Sequence, residues 1–297
     1  MDSGHRPDAA DRLAPAALEQ YRRDGYLVVR GLLAPDHVAA CIDALAALAA
    51  DETVPTTSIP GEAPFITFEP GVAAFDADAA AAIDRIRKFG NFTDRSPALL
   101  RAAMSAQLHA ILDQLMGGGR VLIQEMALVK PPRIGGEKRW HQDAAYFRAD
   151  DPDLVFGVWI ALDPVDAENG CMQVIPGSQR AGPVPHIPDS DINLCTIRPD
   201  HVRLAARLEL PMDPGDVLIF HSLMHHYTAP NRSGRRRRAL QFHYHQRGVR
   251  WTSLAEHRAL YHDEAGGYAG CTVPAGAPQD DSFSYRPRRL RPVVPIA

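Results

Sequence analysis

The sequence predicts a mainly β fold with flanking helices, a double-stranded β-helix of the jelly-roll kind. The first observation is textural: from residue 121 the apolar residues fall into short runs at 121–129, 154–162, 172–175, 204–210, 217–220 and 239–245. Pro131-Pro132, Pro176-Gly177, Pro214-Gly215 and the stretch 231–234 punctuate them, and short strands separated by turn signals indicate an antiparallel sandwich or barrel rather than a parallel sheet. Second, helical periodicity is confined to the front of the chain. Third, no internal repeat or low-complexity linker divides the 297 residues, so a single domain spanning 1–297 is expected, its core at about 15–247. Residues 1–13 and about 271–297 are polar or rich in Pro, Arg, Asp and Ser, the composition of arms.

The elements follow in order. Residues 16–23 read as a short helix, 26–29 as a strand, and 35–50 as an Ala/Leu helix that Pro35 can open, because a first-turn proline loses no helical hydrogen bond. A helix is expected at 97–116, with Leu99, Leu100, Met104, Leu108, Leu112 and Leu115 on one side. It ends at Gly117-Gly118-Gly119, a helix stop that lacks the spacing of a phosphate loop.

Composition narrows the function. With 32 basic and 36 acidic residues the net charge is -4, which gives no footprint for gripping nucleic acid. The N-terminus lacks a basic-then-apolar signal pattern and no stretch reaches the ~18 apolar residues of a membrane span, so a soluble cytoplasmic protein is expected. Cys41, Cys171, Cys195 and Cys271 lie far apart and read as reduced, mostly buried thiols. Only Lys88, Lys130 and Lys138 are lysine, and before the tail no dense basic cluster stands out apart from the run Arg235 to Arg238.

Chemistry enters at Trp140-His141-Gln142-Asp143, where alternation along an extended strand puts His141 and Asp143 on one face. Alone the pair is weak, since an aspartate orienting a histidine is as common. A second cluster, His221, His225 and His226, follows the strand at 217–220. One distal histidine with the His-x-Asp pair makes the facial triad of non-haem iron(II) oxygenases, in which three protein ligands leave three positions open. Alternation does not choose among the three histidines.

Four motifs in order carry a resemblance: 141–147 (HQDAAYF), Asn169-Gly170-Cys171 followed by Ile175-Pro176-Gly177-Ser178, Gly215-Asp216 through His226, and Arg237. Over about residues 15–247 the chain resembles the phytanoyl-CoA dioxygenase family of iron(II)- and 2-oxoglutarate-dependent oxygenases. That resemblance implies a cupin-like jelly roll, His141, Asp143 and His226 as iron ligands, and Arg237, eleven residues after His226, as the group that binds the distal carboxylate of 2-oxoglutarate. A planar guanidinium suits that carboxylate through paired charge-assisted bonds. Within the four-arginine run, alternation separates Arg235 and Arg237 from Arg236 and Arg238, and a run of like charge is ordinarily a solvated turn.

Further matches near the oxoacid or metal are Trp159, Thr228, Lys88 and Gln124, with Met126 and Tyr146 on the substrate side. Four of these have a plainer alternative, Trp159, Met126 and Tyr146 as packing and Lys88 as an exposed helix-end lysine, while Thr228 can donate its hydroxyl to the same carboxylate as Arg237. The resemblance also implies dioxygen as cosubstrate, ascorbate as reductant in vitro, and a small-molecule substrate, preferably a natural product, oxidised as 2-oxoglutarate yields succinate and CO2. An iron halogenase of the same scaffold would carry a small residue in place of Asp143. A cupin-like binding protein would have no use for an open metal face together with an oxoacid clamp.

Overall fold

The computed structural model describes residues 12–56, 64–70, 72, 82–189, 195–262 and 271, with the backbone of 291–292. Its elements in chain order are α1 (Pro15–Asp24), β1 (Tyr26–Val29), α2 (Pro35–Ala50), β2 (Phe65–Phe68), β3 (Ile86–Gly90), α3 (Pro97–Met104), α4 (Ala106–Met116), β4 (Arg120–Lys130), β5 (Lys138–His141) and β6 (Val155–Ala161). They continue with β7 (Met172–Val174), β8 (His186–Pro188), β9 (Cys195–Ile197), β10 (Leu208–Leu210), β11 (Val217–His221), β12 (His226–Thr228), β13 (Arg237–Gln246), α5 (Leu254–Tyr261) and β14 (Arg291–Pro292).

An antiparallel sheet ordered β1-β11-β6-β13-β4-β3-β2 packs against a smaller one ordered β10-β7-β12-β5, and β8 and β9 form a separate hairpin. This is the jelly roll expected from the sequence. Alternation gives each strand of the large sheet two jobs. Leu27, Val158, Ile160, Ile219, Leu240, Phe242 and Tyr244 pack in one cluster with the apolar sides of α2, α3 and α4, while Val28, Trp159, Leu218 and Phe220 face Met172 and Val174 of the small sheet.

Directly opposed residues of an antiparallel pair share a face, so the registers define rows across the inner surface. One row runs Gly90, Met126, Gln241, Trp159, Leu218, Val28. The next runs Gln124, His243, Gly157, Phe220, Tyr26. On the small sheet His141, His226 and Val174 form a row, and Lys138, Thr228 and Met172 another. Gly157 is required there because a Cβ at that position would lie 2.3 Å from the Phe220 ring.

Several expectations need correction. The helix expected at 97–116 is two helices: Ser105 is extended (φ -58, ψ 132) and its side chain caps α4 by accepting from Leu108 N–H at 3.1 Å. The stop at Gly117 holds, with φ 78. Lys88 lies on β3, where the sequence had suggested a helix end as the alternative. Residues 204–206 form a helical turn and only Leu208–Leu210 is strand.

The cysteines depart furthest. Cys41 and Cys171 are buried thiols, but Cys195 and Cys271 form a disulfide across 76 residues of sequence. Spacing could not show this, because a bridge needs only spatial proximity. The cystine packs with Ala144, Ala145, Leu223 and Tyr261, with Tyr146 against them. Cys271 and the pairing of β14 with Val121 and Leu122 of β4 also place parts of the supposed C-terminal arm on the body. Leu13, assigned to the N-terminal arm, is core, and its N–H donates to Gln114 Oε1 at 2.9 Å. Closing a loop this long restricts the unfolded chain, so Cys271→Ser should destabilise the protein by about 2–4 kcal/mol. Denaturant unfolding with peptide mapping under non-reducing conditions checks this; an unchanged midpoint with the bridge intact in wild type would contradict it.

Candidate metal centre

β5 carries His141 to the inner face, and the chain stays extended through Gln142 before Asp143 opens a short helical turn, Asp143–Tyr146. Asp143 is therefore delivered by a turn beyond the strand rather than by the strand itself. Gln142 fixes that junction. Its amide donates to Gly182 O at 2.9 Å and Leu223 O at 2.8 Å and accepts from Val184 N–H at 3.0 Å, so a wholly buried side chain is fully satisfied.

His226 opens β12 directly opposite His141, and the two imidazole centroids are 4.0 Å apart. Nε2 of His141 and of His226 lie 3.3 and 3.4 Å from Asp143 Oδ1. The ligand atoms of His141, Asp143 and His226 all fall within 4.8 Å of one another, and among the described residues they form a group able to hold a metal ion. Each imidazole is oriented through Nδ1, which bonds Arg139 O at 2.7 Å in His141 and Met224 O at 3.0 Å in His226. Such carbonyls select the tautomer whose Nε2 lone pair points at the metal. Burial, then His226, pushes His141 down to about 3, which keeps its imidazole neutral. Burial alone would raise the Asp143 carboxyl, but its neighbours His226, His243 and His141 hold it well below the usual carboxylate range.

The other two histidines stand elsewhere. His221 ends β11 with Nδ1 accepting from Leu223 N–H and Nε2 3.5 Å from Asp153, and His225 points away, its N–H donating to Ser178 Oγ at 2.8 Å. That last bond explains the Pro176-Gly177-Ser178 motif: Gly177 takes φ 77 and Ser178 buttresses the approach to His226. Gly170 has φ 86, and a Cβ on it would lie 2.3 Å from Ala229 O, just past β12.

Two residues that the sequence reading missed complete the shell. His243 Nε2 is 2.7 Å from Asp143 Oδ2, and Gln241 Nε2 is 3.4 Å from the same oxygen. They occupy the second carboxylate oxygen and leave Oδ1 towards the two imidazoles. A signal existed: Gln241 and His243 continue the inward phase of Arg237 and Ala239 along β13, polar residues where an apolar strand should bury Leu or Val.

The arginine run is resolved by its partners. Arg235 bonds exposed Asp166, Arg236 bonds Asp84, and Arg238 bonds Asp163. Arg237 is buried, its guanidinium 5.5 Å from the Trp159 ring, with a single 3.5 Å bond from Nη1 to Leu128 O and Nε without a hydrogen-bond partner among the described residues. Burial, then Arg87, lowers it to about 10. A buried guanidinium so poorly satisfied fits an anionic ligand. Lys88, Gln124, Met126 and Trp159 share the inner surface of the large sheet with it, and Thr228 lies on the facing sheet. Tyr146 sets its ring edge-on to His141 at 5.8 Å.

The sequence model of the family described as phytanoyl-CoA dioxygenase (PhyH) matches residues 21–239. The chain belongs to this family. Bovine phytanoyl-CoA dioxygenase domain-containing protein 1 (Bos taurus) is 27% identical over 271 residues, covering 78% of this chain and 89% of the relative. Among solved structures, the epimerase SnoN in complex with Fe3+, alpha ketoglutarate and nogalamycin RO superposes with TM-score 0.60 at 22% identity, covering 96% and 97% of the two chains. EctD from S. alaskensis with 2-oxoglutarate and 5-hydroxyectoine superposes with TM-score 0.61 at 19% identity, covering 99% and 94%. This family member is a dioxygenase dependent on iron(II) and 2-oxoglutarate. No helix among the described residues is long and apolar enough to cross a membrane.

Proposed function

We propose that His141, Asp143 and His226 hold iron(II), that Arg237 binds 2-oxoglutarate, and that the enzyme hydroxylates or otherwise oxidises a small-molecule metabolite, acting as a single domain. The observation that carries this is the convergence of two imidazoles and one carboxylate beside a buried, under-bonded guanidinium. When bound, iron(II) with 2-oxoglutarate and dioxygen supplies the oxidising power, the oxoacid leaving as succinate and CO2. The chain contributes the rest. Met224 O and Arg139 O orient the imidazoles, His243 and Gln241 restrain the carboxylate, and the Arg237 face anchors the oxoacid with Thr228, Lys88, Gln124 and Trp159 around it. Met126 and Tyr146 stand on the substrate side. A role in natural-product biosynthesis is supported by the likeness to SnoN, whose structure is described as from nogalamycin biosynthesis.

Asp143 favours oxygenation over halogenation, because with iron bound its carboxylate would fill the position a halide would need. Chelator-treated protein should regain 2-oxoglutarate consumption with ferrous iron and ascorbate and not with zinc. Under labelled dioxygen with bromide present, hydroxylation places one labelled atom in the product and one in succinate. A brominated product, or recovery by zinc alone, would sink this reading.

A further inference from the structure

The two oxygens of Asp143 are put to different uses. Oδ1 lies 3.3 Å from His141 Nε2 and 3.4 Å from His226 Nε2, on the side where the ligand atoms converge. Oδ2 is met from β13, by His243 Nε2 at 2.7 Å and by Gln241 Nε2 at 3.4 Å. All three side chains are buried. His243 is the closer donor, and its other ring nitrogen, Nδ1, meets no hydrogen-bond partner among the described residues. With a carboxylate at one nitrogen and no acceptor at the other, the ring N–H belongs on Nε2, where it donates to Oδ2.

The fold holds that ring in place. His243 of β13 and Phe220 of β11 stand opposite Gly157 from the two strands that flank β6. Strands two apart are separated by about 9.5 Å. The ring centroids are nevertheless only 6.5 Å apart, because the side chains lean together over the glycine, whose absent Cβ would have stood 2.3 Å from the Phe220 ring. Phe220 also reaches His226 on the facing sheet, with centroids 5.0 Å apart, and Phe147 closes on the His243 ring at 4.8 Å. One aromatic wall thus braces both the distal histidine and the donor to Oδ2, and close packing leaves the His243 imidazole little room to turn.

This arrangement bears on how many coordination positions remain open. Three protein ligands leave three positions, and 2-oxoglutarate chelating through two oxygens would take two of them. A carboxylate that ligated through both of its oxygens would fill the last. Buried and without its closer donor, Oδ2 has the metal as its strongest remaining partner.

We propose that His243 is a positioning residue that confines Asp143 to binding iron through Oδ1 alone, and so keeps a coordination position open for dioxygen once 2-oxoglutarate is bound. This deepens the oxygenase reading above and rests on it.

The test uses full-length wild type and the variants His243→Leu, His243→Gln and His243→Asn under anaerobic conditions. An iron(II) isotherm first sets full occupancy, 2-oxoglutarate is added to saturation, and nitric oxide is then titrated as a stand-in for dioxygen. His243→Leu should bind nitric oxide about tenfold or more weakly than wild type, since a charge-assisted hydrogen bond no longer opposes closure of the carboxylate on the metal. A residue that served folding alone would alter thermal stability or iron uptake and leave nitric oxide affinity at full occupancy unmoved. His243→Gln, whose amide nitrogen reaches the place of Nε2, should restore most of the affinity. His243→Asn, whose amide nitrogen reaches only the place of Nδ1, should behave like His243→Leu. Wild-type nitric oxide affinity in His243→Leu, or equal affinities in His243→Gln and His243→Asn, overturns the proposal; should His243→Leu fail to fold, the Gln and Asn pair decides. Aerobic 2-oxoglutarate consumption by the same wild-type sample separates the causes: consumption together with unchanged nitric oxide binding in the variants defeats this inference alone, whereas no consumption defeats the oxygenase reading.

Discussion

His226→Ala is expected to abolish turnover and to weaken ferrous iron binding by more than about 100-fold, since removal of groups that merely orient metal ligands already costs 10- to 100-fold. The geometry makes the effect specific. His226 Nε2 lies 3.4 Å from Asp143 Oδ1 and its imidazole faces His141, while His221 and His225 make their bonds to Leu223, Asp153 and Ser178. His221→Ala and His225→Ala should therefore retain part of the activity. Asp143→Ala should also lose iron, leaving His243 and Gln241 without their acceptor. His243→Leu should fall between, because the three ligands remain but Asp143 Oδ2 loses its 2.7 Å bond. Iron binding isotherms alongside 2-oxoglutarate consumption distinguish these cases. An inactive His225→Ala beside an active His226→Ala would show that the distal position has been misassigned by one residue.

The strands that surround this centre were legible because they alternate or run apolar between turn residues, as 155–161, 217–221 and 237–246 do. β2 and β3 were not. Phe65–Phe68 and Ile86–Gly90 are short and, in β3, interrupted by Arg87 and Lys88, which look solvated in sequence, whereas in the fold Arg87 pairs with Glu69 at 3.1 Å and Lys88 Nζ lies 5.5 Å from the Phe65 ring. The His-x-Asp pair was visible for a reason only partly right, since Asp143 belongs to the turn after β5. His226 required the family resemblance, because three histidines in six residues look alike until the register of β12 against β5 separates them. The same register sets Lys138 opposite Thr228 through an irregularity in the pairing: a bulge changes which residues share a face, and no local composition marks it. His243 and the cystine were invisible for a more general reason. Each depends on a partner about a hundred or 76 residues distant, which only the closed barrel brings near.

Arg237→Ala should raise the apparent Michaelis constant for 2-oxoglutarate far more than that for the prime substrate. Taking away one partner of a buried, charged hydrogen-bonded pair costs about 2–5 kcal/mol, which is on the order of 30-fold or more in affinity. Burial makes that range applicable here: Arg237 is 2% exposed, has one long bond to Leu128 O, and presents an Nε that meets no acceptor among the described residues. Arg237→Lys should recover only part of the loss, because an ammonium cannot make the paired planar contact and cannot stack on Trp159 in the same way. Its neighbours provide internal controls of graded burial. Arg235 spends its charge on exposed Asp166, so Arg235→Ala should leave the oxoacid constant nearly unchanged. Arg236 and Arg238 are tied to Asp84 and Asp163, and their loss should appear in thermal stability before it appears in 2-oxoglutarate binding. Steady-state kinetics varying 2-oxoglutarate at saturating iron measures all four. If Arg235→Ala matched Arg237→Ala, the poorly satisfied guanidinium would not be the oxoacid anchor, and the inner face of β13 would have to serve some other anion.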